Sequence, residues 1–191
     1  MKHKKLILVP LIMLFIFAIF YSLKQVYFDD KDSNHVNYDF RISNLKDMDK
    51  SLSRQSYYYT VSSDKVYIAL ITYKENKASM KQYLVNENGS IDLTISKDNN
   101  FIISLHANST IAYTWNIKSS LNNKVIKFDK KSSISIPTPK SDYGKDGVNH
   151  SRENFYFNTL NAGSEKIDLR YESKVRKNSE FIDITFDINI E

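Results

Sequence analysis

The chain has no cysteine, and only four of its 191 residues are glycine and three are proline. Without cysteine there is no disulfide, no thiolate metal ligand and no lipid attachment through an N-terminal cysteine. The sequence also has neither a Gly-x-Ser-x-Gly nucleophile elbow nor a glycine-rich phosphate loop. An exported domain of this composition must therefore be held together by its hydrophobic core.

Histidine is equally scarce, and the four histidines show no spacing typical of metal ligands. They are His3, His35, His106 and His150. No helix-borne histidine pair of the kind found in metallopeptidases is present. We therefore predict that the protein is not an enzyme and that it uses no metal and no cofactor.

The formal net charge of +5 overstates how basic the body of the protein is. Lys2, Lys4 and Lys5 precede a long apolar segment, and the remainder of the chain carries 24 basic and 22 acidic residues. These charges are interspersed and form no dense basic stripe. The pattern gives no reason to expect a nucleic-acid partner.

Residues 6–23 form an uncharged run rich in Leu, Ile and Phe. As a helix, this run would be roughly 27 Å long, close to the ~30 Å hydrocarbon core of a bilayer. The basic residues before it place residues 1–5 in the cytoplasm and the body outside the cell, as a single-pass membrane protein. A cleaved signal peptide is the alternative, with a secreted body, although Ala18 and Ser22 fit a cleavage site poorly.

Two segments separate this predicted anchor from the clearest strands. Residues 24–54 are polar and weakly periodic, and we predict a juxtamembrane linker with a short helix near Leu45 to Leu52. Residues 55–87 predict extra β strands that either extend the next domain or form a small module before it. The strand-like runs are Tyr57 to Val61, Lys65 to Tyr73 and Gln82 to Val85.

Residues 88–191 alternate between apolar and polar side chains, as half-buried strands do. In the last such run, one face is Ile182, Ile184, Phe186, Ile188 and Ile190. Many short strands without a strong helical segment predict an all-β, antiparallel β-sandwich. We expect one core to contain Trp115, Phe157, Leu169 and Phe186, and we interpret Trp115 as a core residue rather than a surface contact.

Residues 105–115 of this region resemble the Asn-Pro-Thr-Thr-Gly-Tyr-x-Trp loop of the chagasin family of cysteine peptidase inhibitors. Four positions match as they stand, and these are Asn108, Thr110, Tyr113 and Trp115. Three positions differ, since Ser109 replaces Pro, Ile111 replaces Thr and Ala112 replaces Gly.

Two further segments resemble the family in the same order. Gly144, Lys145, Asp146 and Gly147 are similar to its glycine-rich loop, with aspartate in place of one glycine. Where the family has Tyr-x-Arg-Pro-Trp, the chain retains the tyrosine but has Ser173, Lys174 and Val175. The resemblance extends over about residues 88–191, and its third motif is lost.

The resemblance implies an immunoglobulin-like sandwich that inhibits papain-like cysteine peptidases tightly and without a covalent bond. It assigns peptidase contacts to three loops. The loop residues are Asn108, Ser109, Thr110, Ile111, Ala112, Tyr113, Gly144, Lys145, Asp146, Gly147, Ser173, Lys174 and Val175. The loss of the third motif leaves an alternative, a surface adhesion or scaffolding sandwich without inhibitory activity.

The substitutions in the first loop lead to an expectation about stiffness. A rigid loop loses little entropy on docking, so the family's Pro and Gly at positions 109 and 112 favour binding. If position 112 requires a positive φ, alanine there costs on the order of 1 kcal/mol relative to glycine. We therefore expect Ser109→Pro with Ala112→Gly to tighten inhibition.

Overall fold

A computed structural model describes the part of the chain from which the candidate site is built. The described residues are 37–41, 48–53, 65–136, 144, 146–147, 149–176 and 179–191. Residues 1–5 and the predicted anchor at residues 6–23 lie outside them. Within the described residues, no helix is long and apolar enough to cross a membrane.

The described residues form ten strands and one short helix. In chain order they are β1 Asn37–Arg41, α1 Met48–Ser53, β2 Lys65–Lys74, β3 Lys77–Asn86, β4 Ser90–Ile95, β5 Asn100–Asn108, β6 Tyr113–Ile117, β7 Ile126–Ser135, β8 His150–Thr159, β9 Gly163–Ser173 and β10 Ile182–Ile190.

The strands form two sheets. One has six strands in the order β1-β3-β2-β5-β8-β7, and the other has four strands in the order β4-β10-β9-β6. All pairs are antiparallel except β4 and β10, which run parallel from Ser90 opposite Thr185 to Ile95 opposite Ile190. The predicted antiparallel pairing therefore holds except at this pair, because alternation shows which face a residue occupies but not the direction of the neighbouring strand.

The two sheets pack their inner faces around one hydrophobic core. Its largest members include Ile68, Phe101, Ile103, Leu105, Trp115, Phe155, Phe157, Ile167, Leu169, Ile184, Phe186 and Ile188. Phe101 and Phe157 stack with their ring centroids 5.0 Å apart. The predicted all-β sandwich is confirmed, and so is the placement of Trp115 in the same core as Phe157, Leu169 and Phe186.

A second apolar cluster covers the outer face of the six-stranded sheet. Met48 and Leu52 of α1 pack with the outward-facing side chains of the sheet. The sheet residues are Ala69, Ile71, Tyr73, Ala78, Met80, Ile102, Ile134, Ile136 and Tyr156. The central strands β2, β5 and β8 are therefore buried on both faces along most of their length.

Residues predicted as linker and as extra strands belong to the same sheet as the sandwich. Where the sequence predicts a spacer over residues 24–54, the structure has β1 paired with β3, and α1 packed on the sheet. The helix predicted near Leu45 to Leu52 corresponds to α1. Within residues 55–87, β2 and β3 extend the six-stranded sheet, with β2 paired to β5. The sequence did not indicate β1, whose five residues, Asn-Tyr-Asp-Phe-Arg, are mostly polar.

Candidate functional site

The three loops of the resemblance lie at one end of the sandwich, here called the loop end. The first loop, residues 109–112, joins β5 to β6. The second precedes β8, and its described residues are Gly144, Asp146, Gly147 and Asn149. The third joins β9 to β10 and is described at residues 174–176 and 179–181. Strand register places them together, since Asn108 pairs with His150 and Tyr113 pairs with Ser173.

Asn108, the last residue of β5, connects the first loop to the second. Its Oδ1 accepts hydrogen bonds from the backbone N–H of Thr110 at 3.0 Å and from that of Asn149 at 3.3 Å. Its Nδ2 donates to the Gly147 carbonyl at 3.0 Å. The Thr110 hydroxyl donates to the same carbonyl at 2.6 Å, and the Ser109 N–H donates to the Asn149 carbonyl at 3.0 Å. The N-terminal half of the first loop is therefore bonded to the second loop.

The third loop is bonded to the first as well. The Lys174 N–H donates to the Ala112 carbonyl at 2.7 Å. The Ser173 hydroxyl oxygen accepts from the N–H groups of Val175 and Arg176 at 3.3 and 3.0 Å, which shapes the start of the loop. Beneath both loops, the Tyr171 hydroxyl accepts from the Asn108 N–H at 3.2 Å.

Trp115 and Glu153 support the loop end from within the sandwich. The indole Nε1 of Trp115 donates to the His106 carbonyl at 2.9 Å, which joins β6 to β5 across the core. The Glu153 carboxylate accepts from the Trp115 N–H at 2.8 Å and from the Thr114 hydroxyl at 2.8 Å. Lys131 forms an ion pair with the same carboxylate at 2.8 Å and donates to the Trp115 carbonyl. These contacts fix the otherwise open edge of β6 to the facing sheet.

Two histidines lie below the second loop. His106 Nε2 and His150 Nδ1 are 2.9 Å apart, so one ring donates a hydrogen bond to the other. Burial, together with the positive charge of Arg152 and the neighbouring His150, lowers the pKa of His106 to about 4. At neutral pH, His106 is therefore uncharged. The Arg152 Nε donates to the Ser104 hydroxyl at 2.7 Å in the same buried region.

The structure brings most of the predicted site residues to the loop end. The exposed ones among them are Ser109, Thr110, Ile111, Ala112, Gly144, Asp146, Gly147, Lys174 and Val175. Asn108, Tyr113 and Ser173 are half-buried, and Lys145 lies outside the described residues. Gly144 and Gly147 have φ values of +79° and +75°, a region where glycine is favoured and a side chain is strained. Their contact with a peptidase stays a prediction.

The structure contradicts the premises of the expectation about stiffness at both positions of the first loop. The Ser109 N–H is bonded to Asn149, and proline would remove that donor and place its ring against the acceptor. Among the described non-glycine residues, φ is positive at Glu75, Asn88 and Asn123, so Ala112 is not strained and gains nothing from glycine. This chain stiffens the loop through hydrogen bonds rather than through proline.

Sequence reasoning missed three residues that hold the loop end together, namely Asn149, Glu153 and Lys131. Each acts on residues far along the chain, and none stands in a motif of the resemblance. The described residues contain no group of three or more His, Asp or Glu side chains that could hold a metal ion.

Comparison with known protein families identifies one to which this chain belongs. The model of the chagasin family of peptidase inhibitors (I42) matches residues 94–190, just over half of the chain. The chain belongs to the chagasin family. That family consists of peptidase inhibitors, not enzymes.

Two solved structures resemble the chain at low identity. The cysteine protease inhibitor EhICP2 from Entamoeba histolytica is 24% identical, over 53% of this chain and 86% of its own, with a TM-score of 0.43. Amebosin, solved in solution, is 21% identical, over 55% of this chain and 90% of its own, with a TM-score of 0.38. A search of curated proteins gave no match.

Proposed function

We propose that this chain is a non-covalent, tight-binding inhibitor of papain-like cysteine peptidases, and that the loop end is its binding surface. The observation that carries the proposal is the network around Asn108, which holds two exposed loops in one fixed arrangement in a member of an inhibitor family. Loops that are ordered before docking lose little conformational entropy when they bind, and this favours tight binding.

The same network accounts for how such an inhibitor would avoid being cleaved. The backbone of the first loop is held by hydrogen bonds from the Ser109 N–H to the Asn149 carbonyl and from the Lys174 N–H to the Ala112 carbonyl. The Thr110 hydroxyl adds a side-chain bond to the Gly147 carbonyl. A peptidase needs its substrate to be extended and adaptable around the scissile bond, whereas this turn is braced at several points. The first loop would therefore occupy the cleft without reaching a reactive geometry.

The proposal is tested by titrating the purified full chain, in a mild detergent, against papain with a fluorogenic peptide substrate. We expect inhibition at sub-micromolar concentration and recovery of activity on dilution, with no change in the mass of the peptidase. If papain and other papain-like peptidases keep full activity at high concentrations of the chain, the inhibitor function is wrong. The adhesion or scaffolding alternative then takes its place.

An Asn108→Ala variant tests whether the loop network is what binds. It removes the two hydrogen bonds by which the Asn108 side chain joins the first loop to the second. The inhibition constant should therefore rise by roughly tenfold or more, equivalent to about 1.4 kcal/mol of binding free energy. Asn161→Ala is the matched control, because Asn161 is exposed and donates a single side-chain hydrogen bond, to Lys124 at 2.8 Å, in the turn between β8 and β9. Asn161→Ala should leave inhibition unchanged.

We also propose that residues 6–23 anchor the protein in the membrane, with residues 1–5 in the cytoplasm and the sandwich on the outer side of the cell. The basic residues Lys2, Lys4 and Lys5 before the apolar run support this orientation. Protease added to intact cells should remove the sandwich and spare the anchor. A protected sandwich would reverse the orientation, and a mature N-terminus near Lys24 would make the segment a cleaved signal.

A further inference from the structure

Exposed apolar side chains are concentrated at the loop end. Among the described residues, the exposed large hydrophobic side chains are Ile111, Leu160, Val175 and Phe181, at 44%, 41%, 76% and 48% exposure. Leu160 lies in the turn between β8 and β9, at the opposite end of the sandwich. The other three follow or precede strands at the loop end. Phe181 belongs to none of the motifs of the resemblance.

These three residues lie at neighbouring strand ends of the four-stranded sheet. Ile111 precedes β6, Val175 follows β9 and Phe181 precedes β10, and the sheet order is β10-β9-β6. Neighbouring strands are about 4.8 Å apart, so the ends of these three strands span roughly 10 Å. The register places the first residues of β6 and β10 beside the last residues of β9, since Tyr113 pairs with Ser173 and Ile182 pairs with Tyr171.

Phe181 differs from its surroundings, which are polar. The outer face of β9 and β10 carries Arg170 and Asp183, joined through Nε to Oδ1 at 2.7 Å and through Nη2 to Oδ2 at 2.7 Å. The Phe181 ring lies on this ion pair, with the Arg170 guanidinium carbon 3.8 Å from the ring centroid. A planar cation held by two hydrogen bonds therefore supports one face of the ring, while nearly half of the side chain remains exposed.

The backbone next to Phe181 is also fixed. The Asp183 N–H donates to Asn88 Oδ1 at 2.9 Å, and the Thr185 N–H donates to the Gly89 carbonyl at 3.0 Å. Asn88 and Gly89 form the turn between β3 and β4, which precedes the segment matched by the family. An aromatic side chain held in this way needs little further ordering when it binds a partner.

We propose that Phe181, at the end of the third loop, is a further specificity-determining contact, which packs on an apolar surface of the peptidase beside its cleft. This inference rests on the proposed inhibitor function. Its place in the fold supports it, because Phe181 and Val175 belong to the same loop and Ile111 lies in the first loop at the same end of the sandwich. Aromatic side chains, Phe included, are enriched at protein–protein interfaces.

The test is the inhibition constant of the full chain against papain for Phe181→Ala, with Leu160→Ala as the matched control at the opposite end. We expect Phe181→Ala to raise the inhibition constant by about tenfold, chiefly through faster dissociation, and Leu160→Ala to change it less than about twofold. Phe181→Tyr should bind like the parent, because it keeps the ring. Thermal unfolding of each variant, followed by circular dichroism, checks that the fold is intact.

The possible failures are distinguishable. If the parent inhibits papain and Phe181→Ala inhibits it equally well, the contact is refuted and the inhibitor function stands. If Phe181→Ala and Leu160→Ala weaken inhibition equally, the effect is not specific to the loop end and the contact is again refuted. If the parent does not inhibit papain-like peptidases at all, the inhibitor function fails, and the contact with it.

Discussion

Trp115 joins the core to the loop end. Its side chain is 1% exposed, its indole lies 5.1 Å from the Tyr171 ring between centroids, and Nε1 donates to the His106 carbonyl. Tyr171 in turn accepts the hydrogen bond from the Asn108 N–H. Changes at this core residue should therefore reach the loops as well as the stability of the sandwich.

Trp115→Ala should lower the free energy of unfolding by about 3–5 kcal/mol, because it leaves a large cavity and an unpaired carbonyl. The measurement is urea unfolding followed by circular dichroism, since Trp115 is the only tryptophan and its fluorescence is lost in the variant. Trp115→Phe fills most of the cavity and should cost less. A loss below about 1 kcal/mol for Trp115→Ala would contradict the assignment of this residue to the core.

Because the pKa of His106 is lowered in the folded protein, we expect the protein to lose stability in acid. Its pKa is lowered to about 4 in the folded state, against about 6.5 in the unfolded chain, so the unfolded state binds the proton more readily. The corresponding stability is fully present above pH 6.5 and is lost as the pH falls towards 4. The loss should be on the order of 2–3 kcal/mol.

The measurement is the urea midpoint of the full chain at a series of pH values between 7 and 4, compared with His106→Gln. The variant lacks the titrating ring, so its midpoint should fall less across this window, although its stability at pH 7 will differ. Parallel pH profiles for the two proteins would show that His106 is not responsible for the acid loss.

At the scale of elements, α1 depends on the sheet beneath it. A helix of six residues is too short to be stable alone in water. Met48 and Leu52 bury their side chains in the outer apolar cluster, and Asp49 provides the polar attachment. The Asp49 Oδ1 accepts hydrogen bonds from the Tyr156 hydroxyl at 2.6 Å, the Ser132 hydroxyl at 2.8 Å and Asn154 Nδ2 at 3.1 Å. Burial, together with Asp49, raises the pKa of Tyr156, which therefore remains a neutral donor.

Asp49→Ala should destabilise the protein by about 2–4 kcal/mol, because it removes a charged acceptor shared by three donors, two of which are on buried residues. Asp98→Ala is the control, since Asp98 pairs with Lys74 at 3.1 Å but is 73% exposed, and such a surface pair contributes about 0–1 kcal/mol. Both variants are compared by urea unfolding of the full chain. Equal losses would show that Asp49 does not attach α1 to the sheet.

At the scale of the whole molecule, the family-matching segment is built into a larger sheet. Residues 94–190 begin within β4, whereas β1, β2 and β3 come before it and extend the six-stranded sheet from β5. β2 contributes Ile68 and Leu70 to the central core and Ile71 to the outer cluster. The strands before the matched segment are therefore part of the hydrophobic core.

A fragment containing only residues 88–191 should therefore fail to fold cooperatively. Its β5 would have an unpaired edge, and the outer face of its sheet would lose the cover provided by α1. The fragment and the full chain are compared by thermal unfolding, followed by circular dichroism, and by size-exclusion chromatography. A fragment that melts cooperatively, at the same temperature as the full chain and as a monomer, would contradict this dependence.

The amino-acid sequence by itself determined which residues face the core. Period-two alternation is a property of each strand alone, so the inward faces of β5, β9 and β10 could be assigned without knowing their partners. The alternation did not predict β7. This edge strand has a bulge between Phe128 and Lys130 that interrupts the alternation, and most of its side chains are exposed. The motifs in residues 105–115 and 144–147 likewise indicated two of the loops, because each motif consists of residues that are contiguous in the chain.

Only the tertiary structure decided how the strands pair and what holds the loop end together. The parallel pairing of β4 with β10 and the insertion of β2 beside β5 join segments that are far apart in sequence, and alternation carries no information about such partners. The roles of Ser109 and Asn149 depend on the hydrogen bond between the Ser109 N–H and the Asn149 carbonyl, 40 positions apart in the chain. Proline is unsuitable at position 109 because it would remove the donor of that bond. Local patterns specify the face of each residue, whereas the hydrogen bonds between distant strands and loops specify the site.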